Sequence, residues 1–436
     1  MSVSTASSQA QARVPSPGTA GHDSSRLVES DIASAAARVR GAESIGPGAD
    51  RMAEALARVF ELWRDRDYAR RREAIAAIAR AAGYSVAMLE SSIDALLKPF
   101  TIEALKSLAA RISSSGGGDR PRTVGFIAAG NVAGAGMHEI AIALVAGAGV
   151  VVKTASAEPV FFAEFARTLA EIDRDAAARI EVFNWSRARA DLTAALIANC
   201  DQVVAYGDDL TIESLHNRRN VIGFGSRVSA AVVAPGVTDS RRIDTVVERL
   251  ARDVVLFEQL GCLSLHQVFV VSRTGDAARG LAIRMSAALE RMGKSMPPAK
   301  IPLRDAVEIR AVRERARWRR IAGEPVELFE GDRLEWRVVF EPSSARDDSF
   351  NVSPGFRTVY VTGVRDLGEF RDRIAAVAGR IEAMAVAGDE SEAAEIGATV
   401  GSIGIPYVCA PGEMQSPPLD WRHGGGGFFD MMVGAR

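Results

Sequence analysis

Cys262 sits in the turn EQLGCLS, residues 258–264, just before the β-branched and aromatic run LHQVFVV. A thiol on a glycine-bearing turn at the start of a strand suits a nucleophile. Thiolate attack on a carbonyl carbon leaves a covalent acyl-enzyme and divides one difficult step into two. The same position suits a buried, inert thiol. Two titratable side chains, Glu258 and His266, flank it four residues away on either side. An imidazole titrates in the range needed to protonate a leaving thiolate, so both are candidates for proton transfer. His266 reads equally as a packed strand residue, and Glu258 as part of the helix before the turn. Cys200 and Cys409 read as structural. Three scattered cysteines exclude a disulfide framework and fit a reducing cytoplasm. The His, Cys and carboxylate spacings offer no metal site.

The elements that position such a nucleophile follow from the periodicity. From about 49 to 113 the pattern is helical, with apolar residues three and four apart and stops at Gly83 and SSSGGG. After Pro121 strands and helices alternate: RTVGFIAAG, MHEIAIALVAGAG, VVVKTAS, PVFFAEFARTLAEID, IEVFNW, ARADLTAALIANC, DQVVAYG. That alternation predicts an α/β fold with a doubly wound parallel sheet. Residues 240–261 read as a further helix, and from LHQVFVV to about 404 a second α/β domain follows. The expected organisation is a disordered segment 1–48, a helical lead-in and dinucleotide-binding domain 49–235, a catalytic domain 236–404 and a loop-rich tail 405–436.

The first strand-turn-helix unit is where such a sheet binds a nucleotide. Its turn, GNVAGAG, is not GxGxxG, and the second strand ends in Lys153 rather than an acid. Lys153 reads as a donor to ribose oxygens or a 2′-phosphate, or as a solvated strand-end lysine. Gly207, which closes the strand within VVAYGDD (203–209), suits a pyrophosphate pocket, with Asp208 and Asp209 capping the next helix. Nearly balanced charge, 53 basic against 55 acidic residues, gives no reason to expect nucleic acid or an anionic membrane as partner. The apolar stretch 124–152 imitates a membrane span, but Asn131, His138 and Glu139 lie inside it. The N-terminus lacks the pattern of a secretion signal.

Asn131, Lys153, Gly207, GFGS at 223–226 and EQLGCLS occur in an order that resembles the aldehyde dehydrogenase superfamily, and more narrowly the bacterial fatty acyl-CoA reductases of luminescence systems. PLDWRHGGGG, residues 418–427, is similar to a C-terminal element of the latter. The resemblance runs from about residue 50 to the C-terminus. It implies an aldehyde-dehydrogenase-like fold, Cys262 as nucleophile, and Asn131 with the Cys262 backbone N–H as the oxyanion donors. It also implies Lys153, Ser156 and Gly207 at a nicotinamide cofactor. Two departures refine this. The superfamily's water-activating Glu is Gly223 here, which favours exchange with a thiol over hydrolysis. Ser156 replaces an acid common in NAD-specific members, so NADPH is expected, with NADH as the alternative. The family's Glu-x-Phe-Gly-Pro ribose motif is replaced by SFNVSPGFR.

The implied reaction reduces a fatty acyl thioester, from acyl-CoA or an acyl-carrier protein, to the aldehyde. Homo-oligomerisation, and an acyl transferase or acyl-protein synthetase as partner, are expectations of the resemblance. Competing readings are oxidation of a free aldehyde, reduction of an acyl phosphate, and a non-catalytic scaffold subunit. His423 is expected to be exposed or interfacial, with its glycine run marking close approach of an acyl or CoA chain.

Overall fold

Residues Thr123–Ile127 and Gly149–Thr154 are buried along their whole length, as central strands of a parallel sheet covered on both faces must be. A computed structural model describes residues 26–42, 46–115, 120–215, 217–238, 240–272, 275–333, 335–343 and 350–434. It pairs the two segments as β1 and β2. With β3 (Ile180–Asn184), β4 (Gln202–Tyr206) and β5 (Val221–Phe224) they form an all-parallel sheet of order β3-β2-β1-β4-β5. The order reverses between β1 and β4, and the crevice beyond the strand carboxyl ends there is the usual ligand site of such sheets.

A second sheet contains β6 (Val228–Val233), β7 (Leu265–Val271), β8 (Glu327–Glu330), β9 (Arg337–Glu341), β10 (Thr358–Val364), β11 (Ile381–Ala387) and β12 (Tyr407–Cys409). Its order is β12-β11-β6-β7-β10-β9-β8, parallel except between β8 and β9. β6 was expected in the first unit but lies near the middle of the second. Only Gly225, Ser226 and Arg227 separate β5 from β6. Parallel neighbours need a crossover of a dozen residues or more, so the chain must change sheets there.

Helices α1 (Glu29–Gly41), α6 (Met137–Val145) and α7 (Phe161–Ile172) pack on the first sheet. α2 (Ala49–Arg64), α3 (Ala69–Ala82), α4 (Val86–Leu97) and α5 (Ile102–Ser114) form a further helical layer, α2, α3 and α5 resting on α6 and α7. Ser85 and Thr101 cap α4 and α5 by accepting the Met88 and Ala104 N–H groups. α1 corrects the expectation of disorder over 1–48, of which residues 1–25 and 43–45 lie outside the described residues. Ile32, Ala35, Ala36 and Val39 form its buried stripe. Arg38 and Arg40 pair with Glu181 and Asp201 at 2.6 Å.

Every residue of α6 is buried, His138 and Glu139 included. The apolar stretch 124–152 is therefore β1, turn, α6 and β2, and no described helix is long and apolar enough to cross a membrane. The segment after β12 is not a loose tail. Asp253 receives the Gly412 N–H at 2.6 Å, Ser416 Oγ donates to the Ala95 carbonyl at 2.7 Å, and helix Phe428–Val433 packs on α5 and α6.

Candidate active site

The carboxyl ends of β1, β2 and β4, the cysteine turn and the 415–423 segment enclose a cleft of about 1320 Å³. Cys262 lies half-buried on its wall. The turn that carries it departs from regular backbone. Phe257, Glu258 and Gln259 all have positive φ, at 52°, 52° and 63°, and non-glycine residues in such regions cost roughly 1–3 kcal/mol each. The surroundings hold them there. Phe257 N–H donates to Ser92 Oγ at 3.0 Å, and the buried Glu258 carboxylate accepts from Arg357 at 2.7 and 3.1 Å and from the Ala299 N–H at 3.2 Å. Gln259 donates to the carbonyls of Leu265 and Thr358 at 2.5 and 2.7 Å and accepts the Thr358 N–H at 2.8 Å. Ser229 Oγ, on β6, donates to the Cys262 carbonyl at 2.8 Å.

This corrects two expectations. Glu258 is not on a helix before the turn but inside the kink, facing away from the cleft lining and ion-paired to Arg357. Burial pushes its carboxyl above the usual range, opposed by Arg357. His266 lines the cleft, but its Nδ1 accepts the Ser353 N–H at 3.1 Å, and burial lowers its pKa to about 4. It is neutral at physiological pH, and no hydrogen bond joins it to Cys262 among the described residues. The SFNVSPGFR region thus braces the cysteine turn through Ser353 and Arg357.

The titratable group beside the sulfur comes from the C-terminal segment. His423 Nε2 is 3.8 Å from Cys262 Sγ, and its Nδ1 is 2.9 Å from Glu139 Oε1. The ring lies between Phe224 (centroids 3.9 Å apart, planes at 4°) and Trp421 (4.3 Å, 22°). Burial favours the neutral imidazole, but hydrogen bonds to Cys262 and Glu139 outweigh it and raise the His423 pKa to about 10. Burial likewise opposes charge on Glu139, yet His423 holds it down to about 2. Both partners therefore point to a buried ion pair at neutral pH. Tyr206 completes this wall, its ring 5.6 Å from His423; burial, then the Glu139 charge, raises its pKa well above the ordinary value.

His423 is thus buried rather than exposed. The glycine run after it marks a chain reversal: Gly424, Gly425, Gly426 and Gly427 all have positive φ, which side chains disfavour. A Cβ on Gly424 would meet Phe224 at 2.9 Å. The signals for this assembly were faint but present. Glu139 is a charge in a wholly apolar helix, and a buried carboxylate requires a partner.

Asn131 stands against the cysteine turn. Its Nδ2 donates to the Leu260 carbonyl at 2.6 Å, and Tyr84 OH donates to its own carbonyl at 3.1 Å. The amide has a second hydrogen, and the Cys262 N–H has no acceptor among the described residues. Lys153, Ser156 and Gly207 line the far end of the cleft. Lys153 is buried without a carboxylate partner among the described residues. Burial and then Arg187 lower its pKa. Asp208 caps the helix Asp209–Leu215 by accepting the Thr211 N–H at 2.8 Å. Cys200 is buried with its pKa pushed up to about 12, and burial also raises Cys409. No group of three or more potential metal ligands occurs among the described residues.

Residues 119–434 match the family model described as acyl-CoA reductase (LuxC). A long-chain acyl-protein thioester reductase of Aliivibrio fischeri is 24% identical over 336 residues, covering 71% of this chain and 66% of that protein, just under two thirds. Aldehyde dehydrogenase 21 of Physcomitrella patens has a similar structure, with a TM-score of 0.68 at 15% identity, covering 93% of this chain and 89% of that one. A NAD-dependent benzaldehyde dehydrogenase of Corynebacterium glutamicum gives 0.67 at 16% identity, covering 88% and 85%. At these identities the structures establish the fold: aldehyde-dehydrogenase-like, α/β, with a helical N-terminal segment.

Proposed function

Because this chain belongs to the LuxC family of acyl-CoA reductases, we propose that it reduces a fatty acyl thioester to the aldehyde through an acyl group carried on Cys262. What supports this reading is a cleft-wall thiol together with a glycine at the position where the family resemblance expects a water-activating acid. Gly223 holds that position, and a Cβ there would lie 2.4 Å from Ile212 Cγ2. Without such a carboxylate the acyl-enzyme is shielded from hydrolysis, and departure as an aldehyde is the productive exit.

Cys262 attacks the thioester carbonyl. The carbon–sulfur bond to the donor breaks, and the acyl group stays on the enzyme. The oxyanion formed during attack, and again during reduction, faces the Cys262 N–H and the second hydrogen of Asn131 Nδ2. Donors fixed in this way are worth about 10²–10³ in rate each. Collapse of the thiohemiacetal releases the aldehyde and returns the thiolate.

The fold implies a nicotinamide cofactor, and the far end of the cleft fits one. Lys153 is a buried cation with no carboxylate to neutralise it among the described residues. When bound, the cofactor supplies the hydride that reduces the acyl carbon. Lys153, Ser156 and Gly207 are the residues that would hold it. The acid nearest Ser156, Glu158, is turned inward, accepting the Val160 and Phe161 N–H groups at 2.9 and 2.8 Å. No carboxylate of that loop therefore opposes a 2′-phosphate, and Arg187 adds a second cation nearby. This supports NADPH over NADH.

A series of acyl-CoA chain lengths and an acyl-protein donor, followed by NADPH oxidation and product analysis, tests the reading. Aldehyde and free thiol in equal amounts are expected. Acid as the main product, or oxidation of NADPH by no thioester, would refute it.

A further inference from the structure

The reduction requires a proton to leave Cys262 and one to reach the departing thiolate, and the two residues nearest in sequence are not placed to do either. Glu258 is locked to Arg357, and His266 Nδ1 is taken by the Ser353 N–H, with no hydrogen bond from that ring to Cys262 among the described residues. The structure assigns this work elsewhere: we propose that His423, oriented by Glu139, is the acid–base group of Cys262. This rests on the acyl-enzyme reading above and adds the proton path to it.

Three observations carry the assignment. His423 Nε2, at 3.8 Å, is the hydrogen-bond partner of Cys262 Sγ among the described residues. Its other nitrogen faces the Glu139 carboxylate at 2.9 Å, which fixes which nitrogen meets the sulfur. The ring cannot turn, because Phe224 and Trp421 pack on its two faces. The three residues come from three separate segments, with Cys262 and His423 161 positions apart and Glu139 and His423 284 apart.

The charged and titratable groups facing the imidazole are Glu139 and His138 on α6, Tyr206 on β4, Cys262, Glu382 on β11 and Arg227 before β6. His138 is kept neutral by burial, its Nε2 at 2.9 Å from the Pro417 carbonyl. Glu382 is drawn off by the Gly424 N–H at 3.1 Å and Arg227 at 3.4 Å. Glu139 is therefore the carboxylate that meets one imidazole nitrogen, and Cys262 Sγ is the group that meets the other.

In this assignment the thiol passes its proton to His423 as the sulfur attacks the thioester carbon, the carbon–sulfur bond to the donor breaks, and His423 passes that proton to the departing thiolate. Acylation promotes that release, since it leaves no charge on the sulfur facing the imidazolium. After the acyl carbon takes hydride and the aldehyde leaves, the Cys262 thiolate re-forms and His423 regains a proton from solvent. Glu139 touches no reacting atom and is a positioning residue.

The test is the rate of Cys262 alkylation by iodoacetamide from pH 5 to 10, read by peptide mass spectrometry on the full-length protein without cofactor. The wild-type rate should change by only about threefold between pH 6 and 9. His423→Gln keeps a flat, hydrogen-bonding side chain between the two rings. It should lower the rate at pH 6 about tenfold or more and meet wild type above pH 9, as a thiol without its imidazolium does. Glu139→Gln should move the profile the same way by less.

A wild-type rate climbing about tenfold per pH unit through neutrality overturns the proposal without need of a variant. So do superimposable wild-type and His423→Gln profiles. The underlying reading fails separately: if the flat profile is found but acyl-CoA neither labels nor protects Cys262, the dyad stands and the acyl-enzyme does not.

Discussion

Glu139 and Glu258 are both buried carboxylates near Cys262, and each faces a single cation. Glu258 is four residues from the cysteine in sequence and meets Arg357 at 2.7 Å. Glu139 is on another domain's helix and meets His423 at 2.9 Å. An arginine keeps its proton at every accessible pH, so the Glu258 pair acts as a clamp that holds the kinked turn in register. An imidazole exchanges its proton, so the Glu139 pair gives the sulfur a partner that changes charge during turnover. Position in space and the chemistry of the cation, not distance along the chain, separate the two.

The comparison breaks most readily at the clamp. Removing one partner of a buried pair costs about 3–5 kcal/mol, so Glu258→Gln should lower the melting temperature by many degrees. The protein that still folds should keep the wild-type pH profile of alkylation. Glu139→Gln should do the reverse. His423 can shed its proton once the carboxylate is gone, leaving no unpaired buried charge, so melting changes less, while kcat/KM falls by roughly 10²-fold or more through lost acid–base assistance. Equal effects of the two variants on both measurements would erase the distinction drawn here. Asn131→Ala should lower kcat about 10²–10³-fold if its amide serves the oxyanion. A change confined to KM would leave it only a support for the Leu260 carbonyl.

Melting against pH sharpens the contrast further. His423 is raised from 6.5 to about 10, so its contribution is complete below pH 6.5 and is lost as the pH rises through about 10. Glu139 is lowered from 4.5 to about 2, so its contribution holds above pH 4.5 and is lost as the pH falls through about 2. Wild type should therefore lose more stability between pH 6.5 and 10 than His423→Gln does, by differential scanning calorimetry. The smallest expected effect is at the far end of the cleft. Lys153→Ala should weaken NADPH binding more than NADH binding, read by fluorescence titration, and an equal loss for both would remove the argument for 2′-phosphate recognition.

The same two regions explain what the sequence made legible. The α/β alternation, the two strand-rich halves and the helical lead-in follow from local periodicity, and Lys153 and Gly207 follow from it as strand-end residues. Local pattern also misled. The alanine-rich segment 29–41 has its stripe at Ile32, Ala35, Ala36 and Val39, too small in volume to stand out in composition. β6 was grouped with the first domain because β5, the short strand Val221–Phe224 just before it, was not recognised. Glu258 and His266 drew notice because they are close in sequence. The pair that surrounds the sulfur was missed because the chain returns to it from residue 423, and no periodicity encodes a return of that length. Glu139 was read only as an obstacle to a membrane span, when a charge on an all-buried helix also demanded a cation.

The central claim is that Cys262 carries the acyl group. Mixing the protein with a long-chain acyl-CoA in the absence of cofactor, followed by acid quench and peptide mass spectrometry, tests it directly. The account predicts one acyl adduct on the Cys262 peptide, discharged on adding NADPH and absent from Cys262→Ala. An adduct on Cys200 or Cys409, or equal labelling of Cys262→Ala, would contradict it.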